Sequence, residues 1–145
     1  MARAVPQRIS IVTLGVDDLG ESAAFYERLG WERAASSTGQ IVWFTTADSV
    51  LGLYPHGLLA DDAALPAEPR APFGGVTLAI NVASEAEVDA AMAAAIDAGA
   101  TLLRPAEKVD WGGYRGYFAD PDGHPWEVAH NPFVGFHPDG SLDMA

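Results

Sequence analysis

The sequence predicts an α+β protein built from two copies of one βαβββ module. Each half of the chain reads as a strand, a helix and three further strands, repeated after roughly seventy residues. In both halves the helix ends before a glycine, Gly30 or Gly99, and the next strand follows directly. A segment rich in Pro, Ala, Gly and Asp separates the halves. We therefore expect eight strands in two sheets that pack together or surround a shared cleft.

The first module is expected to open with a strand over residues 9–16, a stretch rich in β-branched side chains. Asp18 and Glu21 form an aspartate variant of the capping box, and Gly30 suits the position after the last helical residue. A helix is therefore predicted over 19–29. Three short strands should follow it, near 31–36, 40–46 and 49–54.

The second module repeats this order. A strand is expected over 75–82, and Ser84 with Glu87 forms a capping box that opens a helix ending before Gly99. The apolar residues of this helix fall on one face of a 3.6-residue period: Val88, Ala91, Met92, Ala95 and Ile96. The remaining strands are predicted near 101–108, 114–119 and 125–130.

The whole chain is interpreted as one domain with internal divisions. Module one covers about 8–55 and module two about 74–132. Residues 56–73 show neither a helical nor a strand period and are expected to form a linker or a flap. Residues 133–145 are expected to form a C-terminal tail.

Composition excludes several classes of function. The net charge of -12 and only eight Lys and Arg residues in 145 argue against nucleic acid or an anionic membrane as a partner. The absence of cysteine excludes disulfides, thiolate metal sites and cysteine nucleophiles. No signal peptide, membrane span, nucleotide-binding loop or serine-hydrolase motif is present, so a cytoplasmic protein is predicted.

The closing strand carries a single carboxylate, Glu127, between Trp126 and Val128. An ionised carboxylate in so apolar a strand needs a metal, an arginine, hydrogen-bond donors or a water-filled cavity. Three interpretations stay open: a carboxylate that faces a ligand, a metal ligand, or a cross-strand partner of Arg115 on the preceding strand. The Asp-Pro-Asp-Gly sequence at 120–123 is explained by turn chemistry.

Three segments together resemble one family. They are Ile-Val-Thr-Leu-Gly-Val-Asp-Asp-Leu at 11–19, Phe-Tyr-Glu-Arg-Leu-Gly-Trp at 25–31, and Tyr-Phe-Ala-Asp-Pro-Asp-Gly-His-Pro-Trp-Glu-Val at 117–128. In this order and spacing they resemble the vicinal oxygen chelate superfamily of glyoxalases, bleomycin-resistance proteins and extradiol dioxygenases. The resemblance implies a cup-shaped mixed sheet formed by paired modules, and a homodimer.

Metal-binding members of that superfamily place ligands at four strand positions. The matching residues here are Ile11, about Gly52, Thr77 or its neighbour Val76, and Glu127. Only Glu127 can bind a metal, whereas a divalent cation needs at least three protein donors. The four histidines do not restore the set, because His130 lies at an odd offset from Glu127 and the others lie in a turn, the linker or the tail. No metal or other cofactor is therefore expected.

The resemblance and the aromatic content together suggest which residues would line the cup. The expected ligand-binding residues are Trp43, Tyr54, Trp111, Tyr114, Arg115 and Glu127. Trp43 and Tyr54 lie on strands and are alternatively core residues. The Trp-Gly-Gly-Tyr segment at 111–114 is interpreted as a lid or cavity rim, or alternatively as simple loop packing.

Three functional hypotheses follow. The first is a metal-independent protein that binds a small aromatic or apolar organic molecule, with Glu127 and Arg115 holding its polar end. The second is a lyase, isomerase or dioxygenase of the glyoxalase type, in which Glu127 is a base or a residual metal ligand. The third is a degenerate member that serves as a structural dimer.

Overall fold

A computed structural model describes residues 4–145 of the chain. In chain order its elements are β1 (Ile11–Val16), α1 (Leu19–Arg28), β2 (Val42–Thr45), β3 (Val50–Pro55), α2 (His56–Asp62), β4 (Leu78–Asn81), α3 (Glu85–Ala98), β5 (Thr101–Lys108), β6 (Tyr114–Ala119), β7 (Pro125–His130), β8 (Gly135–Phe136) and β9 (Leu142–Asp143). No helix of this described part is long and apolar enough to cross a membrane.

The strands form two open mixed sheets and a small hairpin. Sheet A has the order β1-β3-β2, with β1 parallel and β2 antiparallel to β3. Sheet B has the order β4-β7-β6-β5, again with one parallel pair, β4 and β7. The first strand of each module therefore lies at a sheet edge, beside the last strand of the same module. The predicted α+β class is confirmed.

The two long helices, α1 and α3, pack on the sheets of their own modules and on each other. Helix α1 packs on β3, α3 packs on β6 and β7, and the two helices contact each other. Alternation along each strand turns one set of side chains toward the helices, and these sets form a single core. The largest fully buried members are Tyr26, Phe25, Phe44, Phe118 and Leu53. We call the opposite face of each sheet, turned away from the helices, its outward face.

A buried polar contact joins the modules through this core. The Tyr26 hydroxyl on α1 donates to the Asp120 carboxylate at 2.7 Å and accepts from the Trp126 indole N–H at 3.1 Å. Asp120 also accepts from the backbone N–H groups of Asp122 and His124, which closes the β6–β7 turn. The acidic turn is therefore structural, as its sequence predicts.

The predicted helix ends are confirmed. Asp18 accepts from the Glu21 N–H at 2.9 Å, and Ser84 accepts from the Glu87 N–H at 3.2 Å. Gly30 and Gly99 adopt positive φ angles of 94° and 111°, conformations that favour glycine. Both helices thus begin and end where local chemistry places them.

The predicted strand over 31–36 is wrong. It is reduced to one bridge between Arg33 and Phe44, in which the Ala34 N–H donates to the Trp43 carbonyl at 2.7 Å. The Trp31 side chain instead packs into the aromatic core, with its ring centre 5.6 Å from that of Tyr26. Packing of this large side chain takes precedence over a regular ladder, so sheet A has three strands.

The segments expected to lack structure contain short elements. The linker begins with α2 (His56–Asp62), and the tail forms the β8–β9 hairpin. Helix α2 has no side-chain cap and no buried residue, so it carries neither of the usual sequence signals for a helix. The strand expected over 75–82 is shortened to Leu78–Asn81.

Candidate functional site

Glu127 lies in the middle of the outward face of sheet B. Its neighbours Trp126 and Val128 are buried in the core, so the Glu127 side chain points the other way. Tyr117 on β6 and Ala79 on β4 stand directly beside it. The Tyr117 hydroxyl donates to Glu127 Oε2 at 3.1 Å, which holds the carboxylate in place.

Of the three interpretations of Glu127, the cross-strand pairing with Arg115 is excluded by the strand register. The β6–β7 register places Tyr117 opposite Glu127 and Arg115 opposite Ala129, because the turn is centred nearer Asp122 than the pairing assumed. Arg115 instead bonds Glu107 on β5, with Nη1 to Oε1 at 3.4 Å.

The two carboxylates on the outward face of sheet B, Glu107 and Glu127, have different partners. Glu107 lies between Arg104 and Arg115, 3.4 Å from each guanidinium, so the single carboxylate is paired with both arginines and this group keeps a net positive charge. No Lys, Arg or His nitrogen of residues 4–145 lies within 4.0 Å of the Glu127 carboxylate. Burial first, and then the charge of Glu127, raises the pKa of the Tyr117 hydroxyl, which remains a donor. Glu127 therefore has one donor and capacity for more.

The corresponding position of sheet A is occupied differently. Gly52 on β3 stands between Thr13 on β1 and Trp43 on β2. A Cβ atom at Gly52 would lie 2.6 Å from a carbon of the Trp43 ring and 3.2 Å from Thr13 Oγ1. The Trp43 ring therefore fills the space beside Gly52 that a longer side chain would need. Tyr54 shares this outward face, beside Gly15.

These residues do not fit a divalent metal. Of the four family positions, Ile11 and Gly52 have no donor atom in their side chains, and Thr77 is a neutral, exposed hydroxyl. Across residues 4–145, no three His, Asp or Glu side chains come together as a metal site would require. The donor set thus reduces to Glu127.

Three of the histidines bond backbone carbonyls. His124 Nε2 lies 2.7 Å from the Gly15 oxygen, and His56 Nε2 lies 3.0 Å from the Ala67 oxygen. His130 Nδ1 lies 3.2 Å from the Val82 oxygen, on the strand face opposite Glu127. These contacts are structural, and they link segments that are distant in sequence.

The two aromatic residues of the predicted rim are separated. Tyr114 lies on the helix-facing side of β6, and its hydroxyl donates to Asp89 of α3 at 2.7 Å. Trp111 is 49% exposed in the β5–β6 loop, and its ring covers Gly113. Neither stands on the strand face that carries Glu127.

The six predicted site residues thus fall in several places. Arg115 and Glu127 share the outward face of sheet B, and Trp43 and Tyr54 share that of sheet A. Because the opposite sides of both sheets contribute to one core, these outward faces point away from each other within one chain. Sequence reasoning missed Tyr117, although it and Glu127 flank Asp122 symmetrically, which is the signal that pairs them.

Comparison with known proteins agrees with this architecture. The family model for the glyoxalase/bleomycin resistance protein/dioxygenase superfamily matches residues 8–128. A glyoxalase-related enzyme from Fulvimarina pelagi is 38% identical, with a TM-score of 0.86 over 97% of this chain and 99% of its own. A lactoylglutathione lyase from Agrobacterium tumefaciens is 26% identical, with a TM-score of 0.67 over 90% of this chain and 98% of its own.

A glyoxalase/bleomycin resistance protein from Albidiferax ferrireducens T118 is also 26% identical, with a TM-score of 0.65 over 86% of this chain and 98% of its own. No curated protein matches the chain. The family match spans both modules, including Glu127 and the turn before it. The chain therefore belongs to the glyoxalase/bleomycin resistance protein/dioxygenase superfamily.

Proposed function

We propose that this protein binds a small aromatic or apolar organic molecule without a divalent metal, in a cup completed by a second copy of the chain. The observation that carries the proposal is the contact between Trp43 and Gly52. A flat indole ring occupies the place where a metal-binding member of the family would hold a carboxylate. Such a ring is suited to stack on an aromatic ligand.

Glu127 supplies the polar contact of the proposed site. Its carboxylate is partly shielded by the sheet, bonded by Tyr117 and free of any cation within 4.0 Å among the described residues. A ligand hydroxyl, amide or ammonium group would satisfy its remaining acceptor capacity. Arg115, whose side chain is 16% exposed, is held nearby with its guanidinium 5.9 Å from the Tyr117 ring centre.

The homodimer is supported by the edges of the sheets. Strands β1 and β4 have no further strand beside them in the described part of the chain, and apolar side chains stand exposed along both edges. Ile9 is 71% exposed, Ile11 48% and Val76 61%. Pairing β1 of one chain near β4 of the other would cover these residues and bring Trp43 of one chain over Glu127 of its partner.

A second candidate function is catalysis. Glu127 and Tyr117 form a hydrogen-bonded acid–base pair at a partly exposed position, which suits proton abstraction by the carboxylate. The similarity to a glyoxalase-related enzyme and to a lactoylglutathione lyase favours a lyase or isomerase reaction. In this alternative Glu127 is the catalytic residue and Tyr117 orients it.

Ligand binding and metal content test the proposal together. Thermal-shift screening of aromatic metabolites should find compounds that raise Tm, since a ligand at a hundred times its Kd adds about 2.7 kcal/mol. Glu127→Gln and Trp43→Ala should each abolish the shift. Glu107→Gln, on the same face but paired with arginines, is the matched control and should keep it.

Three outcomes would overturn the proposal. Near-stoichiometric divalent metal in protein purified without chelator, lost in Glu127→Ala, would favour the metal-dependent enzyme. Absence of any stabilising ligand would favour the structural dimer. For the dimer itself, Ile11→Asp should give a monomer in sedimentation, whereas Ile96→Asp on α3 should not, and a wild-type monomer would exclude the shared cup.

A further inference from the structure

A second cavity opens between the two modules. It has a volume of about 480 Å³, within the range of sites that bind small organic molecules. Its walls come from β1 and the β2–β3 turn on one side and from β4 on the other. The C-terminal hairpin β8–β9 forms its remaining boundary. None of the six residues expected to line the cup lies in it.

The floor of this cavity is aromatic. Trp31 and Trp126 pack edge to face, with their ring centres 5.8 Å apart and their planes 85° apart. Trp126 is 5% exposed and its indole N–H is bonded to Tyr26, so the partly exposed Trp31 offers the larger aromatic surface to a ligand. Leu142 and Phe136 of the hairpin add apolar surface to one side of the half-open cavity.

The lining of the cavity carries one charge, and it is negative. Asp48, in the β2–β3 turn, is the single ionisable side chain that lines the cavity. Its carboxylate is 3.5 Å from the Thr46 hydroxyl and has no cation within 4.0 Å in residues 4–145. Hydrogen bonds between Thr46 and Ser49 close the turn, so the backbone that carries Asp48 is held in place.

We propose that this cavity binds an aromatic or apolar amine, with its apolar part against the floor at Trp31 and the ammonium group at Asp48. An apolar anion would meet Asp48 without any cationic side chain in the lining to offset the repulsion. Aromatic faces attract an ammonium group through their quadrupole, which reinforces the same choice of charge. Glu127 and Trp43 do not line this cavity, so its ligand contacts differ from those of the proposed cup.

Two probes that share a naphthalene ring system and carry opposite charges test the proposed preference for an amine. Naphthylmethylammonium and naphthylacetate are titrated into the full-length protein by calorimetry. The ammonium probe should bind more tightly, and Asp48→Asn should weaken it by about fivefold, as expected for a partly exposed ion pair. Asp61→Asn removes the same charge from α2, outside the cavity, and should change the affinity by less than about twofold.

A filled cavity gives the second test. The proposed cup is first removed with Trp43→Ala/Glu127→Gln, and in this background naphthylmethylammonium should still bind at one site per chain. Adding Leu142→Trp, on the terminal hairpin, should abolish this binding while the far-UV spectrum and Tm stay near those of the background variant. No binding in the Trp43→Ala/Glu127→Gln background, unaltered binding after Leu142→Trp, or equal weakening by Asp48→Asn and Asp61→Asn would each overturn the proposal.

Discussion

The two modules share an element order, apart from the strand that module one lacks, but differ at the matching point of their outward faces. In module two, the last strand carries Glu127, and the aromatic residue beside it, Tyr117, donates a hydrogen bond to it. In module one, the last strand carries Gly52, and the aromatic residue beside it, Trp43, occupies the space of the missing side chain. The same position is thus filled by a hydrogen-bonded carboxylate in one module and by an aromatic ring in the other.

The helix-facing sides of the two modules, in contrast, form one shared core. Phe25 of α1 contacts Phe118 of β6 with ring centres 6.3 Å apart, and Tyr26 of α1 bonds Asp120 of the β6–β7 turn. A substitution in this core is therefore expected to affect both modules at once, because its side chains are closely packed. The residues in which the modules differ and the residues that join them lie on opposite faces of the same strands.

The largest expected effect tests the shared core. Phe118→Ala should reduce the free energy of unfolding by about 3–5 kcal/mol, because it removes a fully buried ring between the modules. Urea unfolding followed by circular dichroism should still show one transition. Phe133→Ala, at a ring that is 76% exposed, should cost less than about 0.5 kcal/mol. Two separate transitions would show that the modules unfold independently.

Removing the Tyr26 hydroxyl, which joins the modules, should reduce the free energy of unfolding by less than Phe118→Ala does. Tyr26→Phe leaves Asp120 without one donor and the Trp126 N–H without its acceptor, a loss of about 1–3 kcal/mol. Burial, followed by the charge of Asp120, raises the pKa of Tyr26 far above its usual 10.0. The unfolded chain therefore ionises first, and the stability contributed by this tyrosine is complete below pH 10 and declines above it.

The pH dependence supplies the measurement for that prediction. Urea unfolding between pH 8 and pH 11 should show a steeper loss of stability in the wild type than in Tyr26→Phe. Tyr54→Phe, a tyrosine on the outward face of sheet A, is the control for loss of a hydroxyl and should keep the wild-type slope. Identical slopes in the wild type and Tyr26→Phe would exclude Tyr26 as the group responsible.

The difference between the outward faces can be tested at Gly52. Gly52→Ala should destabilise the protein by about 1–3 kcal/mol, because the new methyl group overlaps the Trp43 ring. In a Trp43→Ala background the same change should cost little, which gives a coupling energy in a double-mutant cycle. Gly57→Ala, at a helical glycine with open space around it, should be neutral or slightly stabilising. Additive effects at 52 and 43 would contradict the contact.

The smallest losses of stability are expected from removing the helix N-caps, and they should be equal in the two modules. Asp18→Ala and Ser84→Ala each remove a helix N-cap and should each cost about 1 kcal/mol in thermal or urea unfolding. Similar losses would show that the start of the helix is still equivalent in both copies. A loss in only one variant would mean that surrounding contacts, such as the bond from Ala83 N–H to Glu87, have replaced the cap in that module.

Local chemistry explains what could be predicted from the sequence. The caps at Asp18 and Ser84 and the glycines at the helix ends act over a few residues, so both long helices were predictable. The strand expected over 31–36 failed because Trp31 is drawn into a core formed by distant residues. The interpretation that paired Glu127 with Arg115 is excluded because the hairpin register differs by two residues, which places Tyr117 opposite Glu127.

Contacts between the modules have a consequence for the integrity of the chain. Arg28 Nε of α1 donates to the Ala98 carbonyl at the end of α3, and the Asp17 N–H donates to Asp122. With the Tyr26 contact, these bonds hold one half of the polypeptide to the other without help from residues 63–74, which contain no helix or strand. A protease that nicks this stretch should therefore release no fragment, and the two halves should reassemble when produced as separate polypeptides.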